Sequence, residues 1–317
     1  MRNIFACVVA AVLGGCSATQ LPSGQTAVTY AVPDPSWIAH KAQSEDLLYI
    51  SDQGGRVYVF TYPGGERVGM LTRFRALGGL CSDSNGDVFV VDTARQAVLQ
   101  YSHGATRPTH VFGASGYPQG CAVDPTTGNL AVADYQAAQP PGPGNVLVYN
   151  RMKNMRSTIY TDPSFNQFFF CGYDGRGNLY VDGVNAGTSQ SEFAELPKGA
   201  TSLRDFKLNE RIAYPGAIQW DGTDLAVEDL SSDVIYRVRV AASSGRVVGS
   251  THLDGDHSTL LTQFWIQNNV IISPYGKLPR SVHRAGLWPY PSGGSPKKVL
   301  EPRGDVELLG ATISVHQ

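Results

Sequence analysis

A phrase repeated at intervals of about forty to fifty residues constrains the fold of this chain more than any other feature. Its clearest copy is GCAVDPTTGNLAVAD at residues 120–134, where the turn-forming residues 124–129 separate two short apolar runs. This pattern predicts a β-hairpin. The other copies lie at residues 79–92, 170–182, 216–229 and, in a weaker form, 264–273. Because the phrase recurs, we interpret it as a structural unit rather than as a binding site.

Each hairpin is followed by two more short strands. In the first unit these are residues 57–60 and 67–71, joined by the turn Tyr62-Pro63-Gly64-Gly65. No long segment has the apolar period of a helix, and 35 glycines and 19 prolines suit a chain with many tight turns. Four antiparallel strands in each of about six units predict an all-β fold, a six-bladed β-propeller, in which neighbouring sheets bury each other's faces.

The two ends of the repeat region are incomplete in complementary ways. Residues 46–52 form a good second strand, but residues 37–42 before them lack the phrase of a first strand. Residues 308–315 look like a first strand with no blade after it. We therefore predict that the C-terminal strand is the inner strand of blade one and closes the ring, so that no sheet edge is left open. The predicted propeller domain spans residues 37–317.

The phrase Pro-x-Gly-x-x-x-Asp, followed by Gly-Asn-Leu-x-Val, resembles the NHL-repeat and SMP-30/gluconolactonase-like six-bladed propellers over about residues 44–317. The resemblance implies the fold but leaves the function open, since such propellers serve as enzymes, binders and scaffolds. In the lactonase type, a Glu, an Asn and an Asp hold a divalent metal in the channel, and Glu-Gly-Pro is typical of the first inner strand. Here that strand holds Trp37-Ile38-Ala39 or Leu309-Gly310-Ala311, without a Glu. We therefore predict no catalytic residue, no metal and no cofactor.

The first fifteen residues have the pattern of a signal peptide. Arg2 precedes an apolar run at residues 4–13, which is too short to span a bilayer. The run ends in Leu13-Gly14-Gly15-Cys16, which resembles the bacterial lipobox, so we expect lipidation of Cys16 and a flexible tether over residues 16–36. The alternative is an ordinary secretory signal with a chance cysteine. The expected location is the bacterial cell envelope, with a lipid anchor in the outer membrane or on the periplasmic or extracellular face.

Charge and cysteine content exclude other classes of function. The net charge is −2 and only 16% of the residues are charged, so no basic surface for nucleic acid is predicted. Cys81, Cys121 and Cys171 occupy the same place in three copies of the repeat. An odd number of cysteines argues against a full disulfide framework, and we interpret all three as small buried core residues.

Carboxylates recur at or just after the end of the second strand, at Asp52, Asp92, Asp134, Asp182 and Asp229. They could ring one mouth of the channel, but their recurrence favours a structural role in which each Asp bonds to backbone N–H groups. Gln219 and Gln267 are interpreted as polar lining of the channel. The cluster from His252 to His257 could bind a metal, but we interpret it as a solvated turn.

Loops that break the repeat are the better guide to a binding site. They lie at residues 135–144, 165–170, 183–190 and 274–277, where aromatic and amide side chains suit a sugar or a peptide. The alternative for residues 168–170 is packing between blades. The candidate ligand-binding residues are Asp92, Arg95, Asp134, Tyr135, Phe168, Asp182, Asn185, Glu228, Asp229 and Tyr275.

The function expected from these observations is that of a propeller lipoprotein anchored to the membrane through Cys16. It would bind a carbohydrate, a peptide or an envelope protein at the loops of the channel mouth, without enzymatic activity. One alternative is a divalent-metal-dependent lactonase or hydrolase of the SMP-30 type. The other is a structural scaffold of an envelope complex.

Overall fold

The structure is a computed structural model, and it describes residues 35–138, 142–151, 155–255, 262–276, 283–302 and 306–317. The expected signal peptide, Cys16 and the tether up to residue 34 lie outside these residues. In the described part of the chain, none of the helices has the length and apolar character needed to span a bilayer.

Six small sheets form the blades of the propeller, and blade one combines strands from the start and the end of the described chain. Blade one contains β1 (Trp37–Ile38), β2 (Leu47–Asp52), β3 (Val57–Thr61), β4 (Arg67–Leu71) and the last strand of the chain. Blade two contains β5 (Leu77–Ser82), β6 (Val88–Asp92), β7 (Ala97–Tyr101) and β8 (His110–Gly113). Blade three contains β9 (Gly116–Val123), β10 (Leu130–Ala137), β11 (Gly142–Asn150) and β12 (Arg156–Tyr160). Two short 3-10 helices, His40–Ser44 and Thr93–Arg95, lie in blades one and two.

The remaining blades repeat this order from the inner to the outer strand. Blade four contains β13 (Phe165–Tyr173), β14 (Leu179–Asn185), β15 (Ser191–Leu196) and β16 (Arg204–Asp205). Blade five contains β18 (Pro215–Trp220), β19 (Leu225–Asp229), β20 (Val234–Ala241) and β21 (Ser244–His252), with β17 (Lys207–Leu208) paired in parallel on its outer edge. Blade six contains β22 (Trp265–Gln267), β23 (Val270–Tyr275), β24 (Arg284–Pro289) and β25 (Lys298–Leu300).

The last strand, β26 (Leu308–Ser314), closes the ring. It pairs antiparallel with β2, with Leu47 opposite Ser314 and Ile50 opposite Ala311, and it is the inner strand of blade one. It also contacts the inner strand β5 of blade two. The predicted six-bladed propeller with C-terminal closure is confirmed. Residues 37–38, which were not predicted to be an outer strand, add β1 to the far edge of the same blade by pairing with β4.

The repeated phrase is a hairpin held by one aspartate. The Oδ1 atom of Asp124 accepts a hydrogen bond from the backbone N–H of Thr126 at 2.8 Å. Gly128 follows with φ of +72°, a conformation that a residue with Cβ rarely adopts. The turns that begin at Asp83, Asp174 and Asp221 contain the same bond to the N–H two residues later. The phrase is therefore a structural unit whose aspartate fixes a local turn.

The cysteines correct one prediction. Cys81 and Cys121 form a disulfide, with their Cα atoms 5.7 Å apart, that joins the inner strands of blades two and three. Only Cys171 is a free, buried thiol among the described residues. The prediction of free core cysteines was therefore wrong for Cys81 and Cys121. The ring brings equivalent positions of adjacent inner strands side by side, within the Cα separation that a disulfide needs.

Deletion of residues 308–317 should abolish cooperative unfolding. The deletion removes the inner strand of blade one, which exposes the edge of β2 and opens the ring. Thermal unfolding followed by circular dichroism measures the effect. Deletion of residues 316–317 alone, beyond β26, is the control and should leave a cooperative transition. An unchanged transition in the longer deletion would contradict the role of β26.

Candidate functional site

The inner strands run between two mouths of the central channel. The hairpin mouth is the end that carries the turns between first and second strands, at residues 83–87, 124–129, 174–178, 221–224 and 268–269. The loop mouth is the opposite end, where the second strands end and where the blade connections enter. The loops predicted as a binding site lie at the loop mouth.

Three of the recurring aspartates at the loop mouth are bonded to backbone. Asp92 accepts hydrogen bonds of 3.2–3.3 Å from the N–H groups of Arg75, Ala76 and Arg95. Arg75 and Ala76 precede the first strand of the blade, and Arg95 follows the second strand. Asp229 likewise accepts from residues 213, 214 and 231. Asp52 accepts from the N–H of Arg56 and from the hydroxyl of Tyr58, both at 2.8 Å. These contacts match the structural role favoured by the recurrence.

Asp182 and Glu228 differ from these aspartates in position. Each is the fourth residue of its strand, whereas Asp92, Asp134 and Asp229 are the fifth, so their side chains lie on the opposite face of the sheet. Asp182 accepts the N–H of Phe170 at 2.9 Å, and Glu228 accepts the N–H of Ala217 at 3.2 Å.

Burial makes three carboxyl groups at the loop mouth weak acids. Burial raises the pKa of Glu228 to about 8 and that of Asp134 to about 6. Burial also raises the pKa of Asp182 well above its usual range, and the charge of Glu228 adds to the effect. One carboxyl oxygen of Asp134 and one of Asp182 are buried without a hydrogen-bond partner in the described part of the chain. A protonated carboxyl tolerates this environment better than a carboxylate does.

The other candidate residues at the loop mouth do not converge on an open site. Arg95 is partly exposed, bonds the carbonyl of Arg73 at 3.0 Å and lies 3.6 Å from Asp92. Tyr135 stacks on Phe169, with ring centroids 5.7 Å apart. The side chain of Asn185 accepts hydrogen bonds from N–H groups of its own turn, at residues 187 and 188.

Two predicted ligand contacts belong to the core. Phe168 is fully buried and stacks on Phe165, with centroids 4.3 Å apart, so the packing alternative accounts for it. Tyr275 is buried and meets Trp288 edge-on at 5.2 Å.

The prediction that residues 135–144 form a long loop was wrong. Residues 135–137 and 142–144 extend β10 and β11 as paired strands, because Ala137 lies opposite Gly142. Residues 139–141 lie outside the described part, as do residues 256–257 of the histidine cluster.

A cavity of about 200 Å³ lies at the hairpin mouth, the opposite end from the predicted site. Tyr173, Trp220 and Trp265 line it, together with the disulfide and residues of five inner strands. The described residues that line it include no charged side chain. Sequence reasoning missed this site because its aromatic residues follow or belong to the inner strands, where the repeat predicted only core.

Gln263 closes the channel above this cavity. Its backbone N–H donates to the carbonyl of Leu309 at 2.8 Å, and its side-chain Oε1 accepts the N–H of Leu80 at 2.5 Å. The side chain passes over Gly310, where a Cβ would lie 3.2 Å from Oε1 and 3.1 Å from the Cα of Gly79. Gln263 therefore reaches from blade six past blade one to blade two. None of the hydrogen bonds between described residues involves its Nε2.

Trp265 and Gln219 complete the framework of the cavity. Trp265 of blade six packs against the core cluster that contains Cys81 and Cys121, so the indole crosses the channel. The side chain of Gln219 makes two hydrogen bonds to the backbone of Ile266. Its Nε2 donates to the carbonyl at 3.0 Å, and its Oε1 accepts from the N–H at 2.6 Å. This glutamine therefore links blade five to blade six by hydrogen bonds.

Two grooves adjoin the cavity. The four–five groove, of about 500 Å³ between blades four and five, shares Trp220 with the cavity. The three–four groove, of about 330 Å³, shares Tyr173. Nowhere in the described ranges do three or more His, Cys, Asp or Glu side chains come close enough together to hold a metal ion.

Comparisons with known proteins agree on the architecture. No family model and no curated protein matches the sequence. A chain of the crystal structure of a nidogen/laminin complex is 14% identical with a TM-score of 0.67, covering 86% of this chain and 99% of that chain. A protein of unknown function from Bacteroides caccae is 14% identical with a TM-score of 0.61, covering 86% and 100%. The Cps50 (Swd1) β-propeller domain of Myceliophteria thermophila is 10% identical with a TM-score of 0.54, covering 86% and 87%.

This chain is a six-bladed β-propeller. At such low identities, the likeness shows the fold alone and carries no information about a ligand or a reaction.

Replacement Glu228→Gln should stabilise the protein at pH 8.5 and have little effect near pH 4.5. The folded protein holds a proton on Glu228 up to about pH 8, whereas the unfolded chain releases it at its ordinary pKa of 4.5. Stability of the wild type therefore falls as pH rises between these values. The glutamine carbonyl keeps the bond from Ala217 without a charge. Melting temperatures measured from pH 4 to 9 test this.

Asp229→Asn is the matched control for this prediction. The pKa of Asp229 is lowered, because hydrogen bonds from Ser231, Ala213 and Tyr214 outweigh the opposing effect of burial. Asp229 therefore stabilises the folded state above the unfolded pKa, and its replacement should destabilise the protein at neutral pH. Parallel pH profiles for wild type and Glu228→Gln would contradict the raised pKa of Glu228.

Proposed function

We propose that this protein is a lipid-anchored, envelope-facing propeller of the NHL/SMP-30 type that binds a ligand or protein partner and catalyses no reaction on it. The observation that supports this most directly is the uncharged, aromatic cavity at the hairpin mouth. Aromatic side chains with a few polar groups are typical of binding pockets. The described lining supplies no His, Asp, Glu, Lys or Arg, the side chains most often used for acid–base or metal catalysis.

The disulfide supports an envelope location. A disulfide such as Cys81–Cys121 is typical of an oxidising compartment, for example the periplasm or the cell exterior. The lipobox-like Leu13-Gly14-Gly15-Cys16 independently suggests export and anchoring. Two unrelated features of the chain therefore lead to the same compartment.

We assign the binding site to the hairpin mouth rather than to the loop mouth. The predicted carboxylates at the loop mouth are buried and bonded to backbone, so they offer a ligand little surface. The hairpin mouth offers Trp220 and Tyr173 at the junctions between the cavity and its grooves.

Replacement Cys16→Ser should move the protein from the membrane fraction to the soluble fraction, because the thiol that accepts the lipid is lost. Cys7→Ser, within the same apolar run, is the matched control and should leave the protein with membranes. Fractionation and incorporation of radiolabelled palmitate measure both variants. Equal membrane association of the two variants would contradict the anchor.

Binding and catalysis are distinguished by metal analysis and activity assays on the full mature protein. We expect no stoichiometric divalent metal and no hydrolysis of a panel of lactones. A stoichiometric metal together with lactone hydrolysis would overturn the proposal in favour of an SMP-30-type lactonase.

Pull-down from envelope extracts with wild type and Trp220→Ala separates a binding role from a scaffold role. Partners lost with Trp220→Ala support binding at the cavity, whereas partners retained by both support a scaffold.

A further inference from the structure

We propose that the hairpin mouth binds a neutral oligosaccharide, with one sugar ring in the cavity and the adjacent units in the two grooves. This inference rests on the proposed binding function and names its ligand class. It follows from three properties of the site: its size, the chemistry of its walls, and the way the grooves continue from it.

The volume of the cavity limits what enters it. At about 200 Å³, it is smaller than the pockets that hold drug-sized ligands, which measure roughly 300–1,000 Å³. It therefore accepts one compact unit. The grooves of about 330 and 500 Å³ continue on either side through Tyr173 and Trp220. A ligand that fills all three spaces must be a chain of several units.

The walls of the cavity combine apolar rings with an uncharged hydrogen-bond donor. Tyr173, Trp220 and Trp265 offer aromatic surface. The side chain of Gln263 is fixed by its bond from Leu80, and the residue is only 6% exposed. Gln263 lines the cavity, and because no hydrogen bond between described residues involves its Nε2, this group is available to an oxygen of a ligand. A sugar ring presents an apolar C–H face to aromatic groups and oxygen atoms at its edge, so it meets both requirements.

Other ligand classes fit these walls less well. A charged group in the cavity would lose its hydration without gaining a counter-charge, which is costly. An aliphatic side chain of a peptide would leave the Gln263 amide unpaired when it covered it. A neutral ring with oxygen acceptors avoids both costs.

The four–five groove also favours a ligand without charge. Two of its arginines are already paired: Arg204 with Glu195 at 2.7 Å and Arg239 with Asp224. Asp174 lies in the same groove as Arg176. Charges of both signs are therefore balanced within the groove, while its many donors and acceptors remain suitable for hydroxyl groups.

The proposal is tested by measuring the binding of the full mature protein to an array of neutral oligosaccharides. The array members are four to six residues long and are built from glucose, N-acetylglucosamine, mannose or galactose. We expect at least one array member to bind, and the corresponding free monosaccharide to bind at least tenfold more weakly. Trp220→Ala should raise the Kd about tenfold, because it removes the ring shared by cavity and groove, a change of about 1.4 kcal/mol. Tyr173→Phe removes only a hydroxyl and should raise the Kd about threefold.

Trp37→Ala is the matched control. Trp37 is 43% exposed on the outer edge of blade one, far along the sheet from the channel, and its loss should leave the Kd unchanged. Melting temperatures of all variants separate lost binding from lost folding.

Absence of binding to every array member, or binding that Trp220→Ala does not weaken, would overturn the proposal. Binding of a neutral tetrapeptide array that depends on Trp220 would reject the sugar class while leaving the proposed binding function intact. Metal-dependent lactone hydrolysis without binding to either array would reject both.

Discussion

The pairing of β26 with β2 is the interaction on which the rest of the structure depends. Each blade is a small sheet that is stable only when both faces are covered by neighbours, so the ring is stable only when complete. Blade one is built from both ends of the described chain, and its inner strand contacts blade two. The hydrophobic cluster between blades one and six contains Leu48 and Ile50 of β2 together with Leu308, Ala311 and Ile313 of β26.

Closure also determines where the channel is open. Near the loop mouth the inner strands approach closely at Gly79 and Gly310, and the Gln263 side chain crosses there between blades. Towards the hairpin mouth, Trp220 and Trp265 line the cavity. The same strands thus provide a closely packed end at Gly79 and Gly310 and an open end at the cavity.

The fold was predictable from the sequence because its signals are local. In the hairpins of blades two to five, an aspartate and a glycine fix a turn within six residues, and Asp124 and Gly128 behave as the repeat predicted. The disulfide between Cys81 and Cys121 and the crossing of Trp265 depend on ring geometry, which brings distant residues together. The candidate site was misjudged for the same reason. Phe168 belongs to a segment that departs from the repeat, but it lies in β13 and packs in the core, and loop length alone does not reveal which mouth is open.

The direction of β26 has a practical consequence for experiments on this protein. The strand runs towards the hairpin mouth, where Gln317 bonds the carbonyl of Ser84 and His316 bonds Asp46. Anything fused after Gln317 therefore emerges beside the cavity. An affinity tag or a surface attached at that position would crowd the face that bears the aromatic residues. Immobilisation through the outer strands, for example at the exposed Val111 or Ile159, would leave that face accessible to solution.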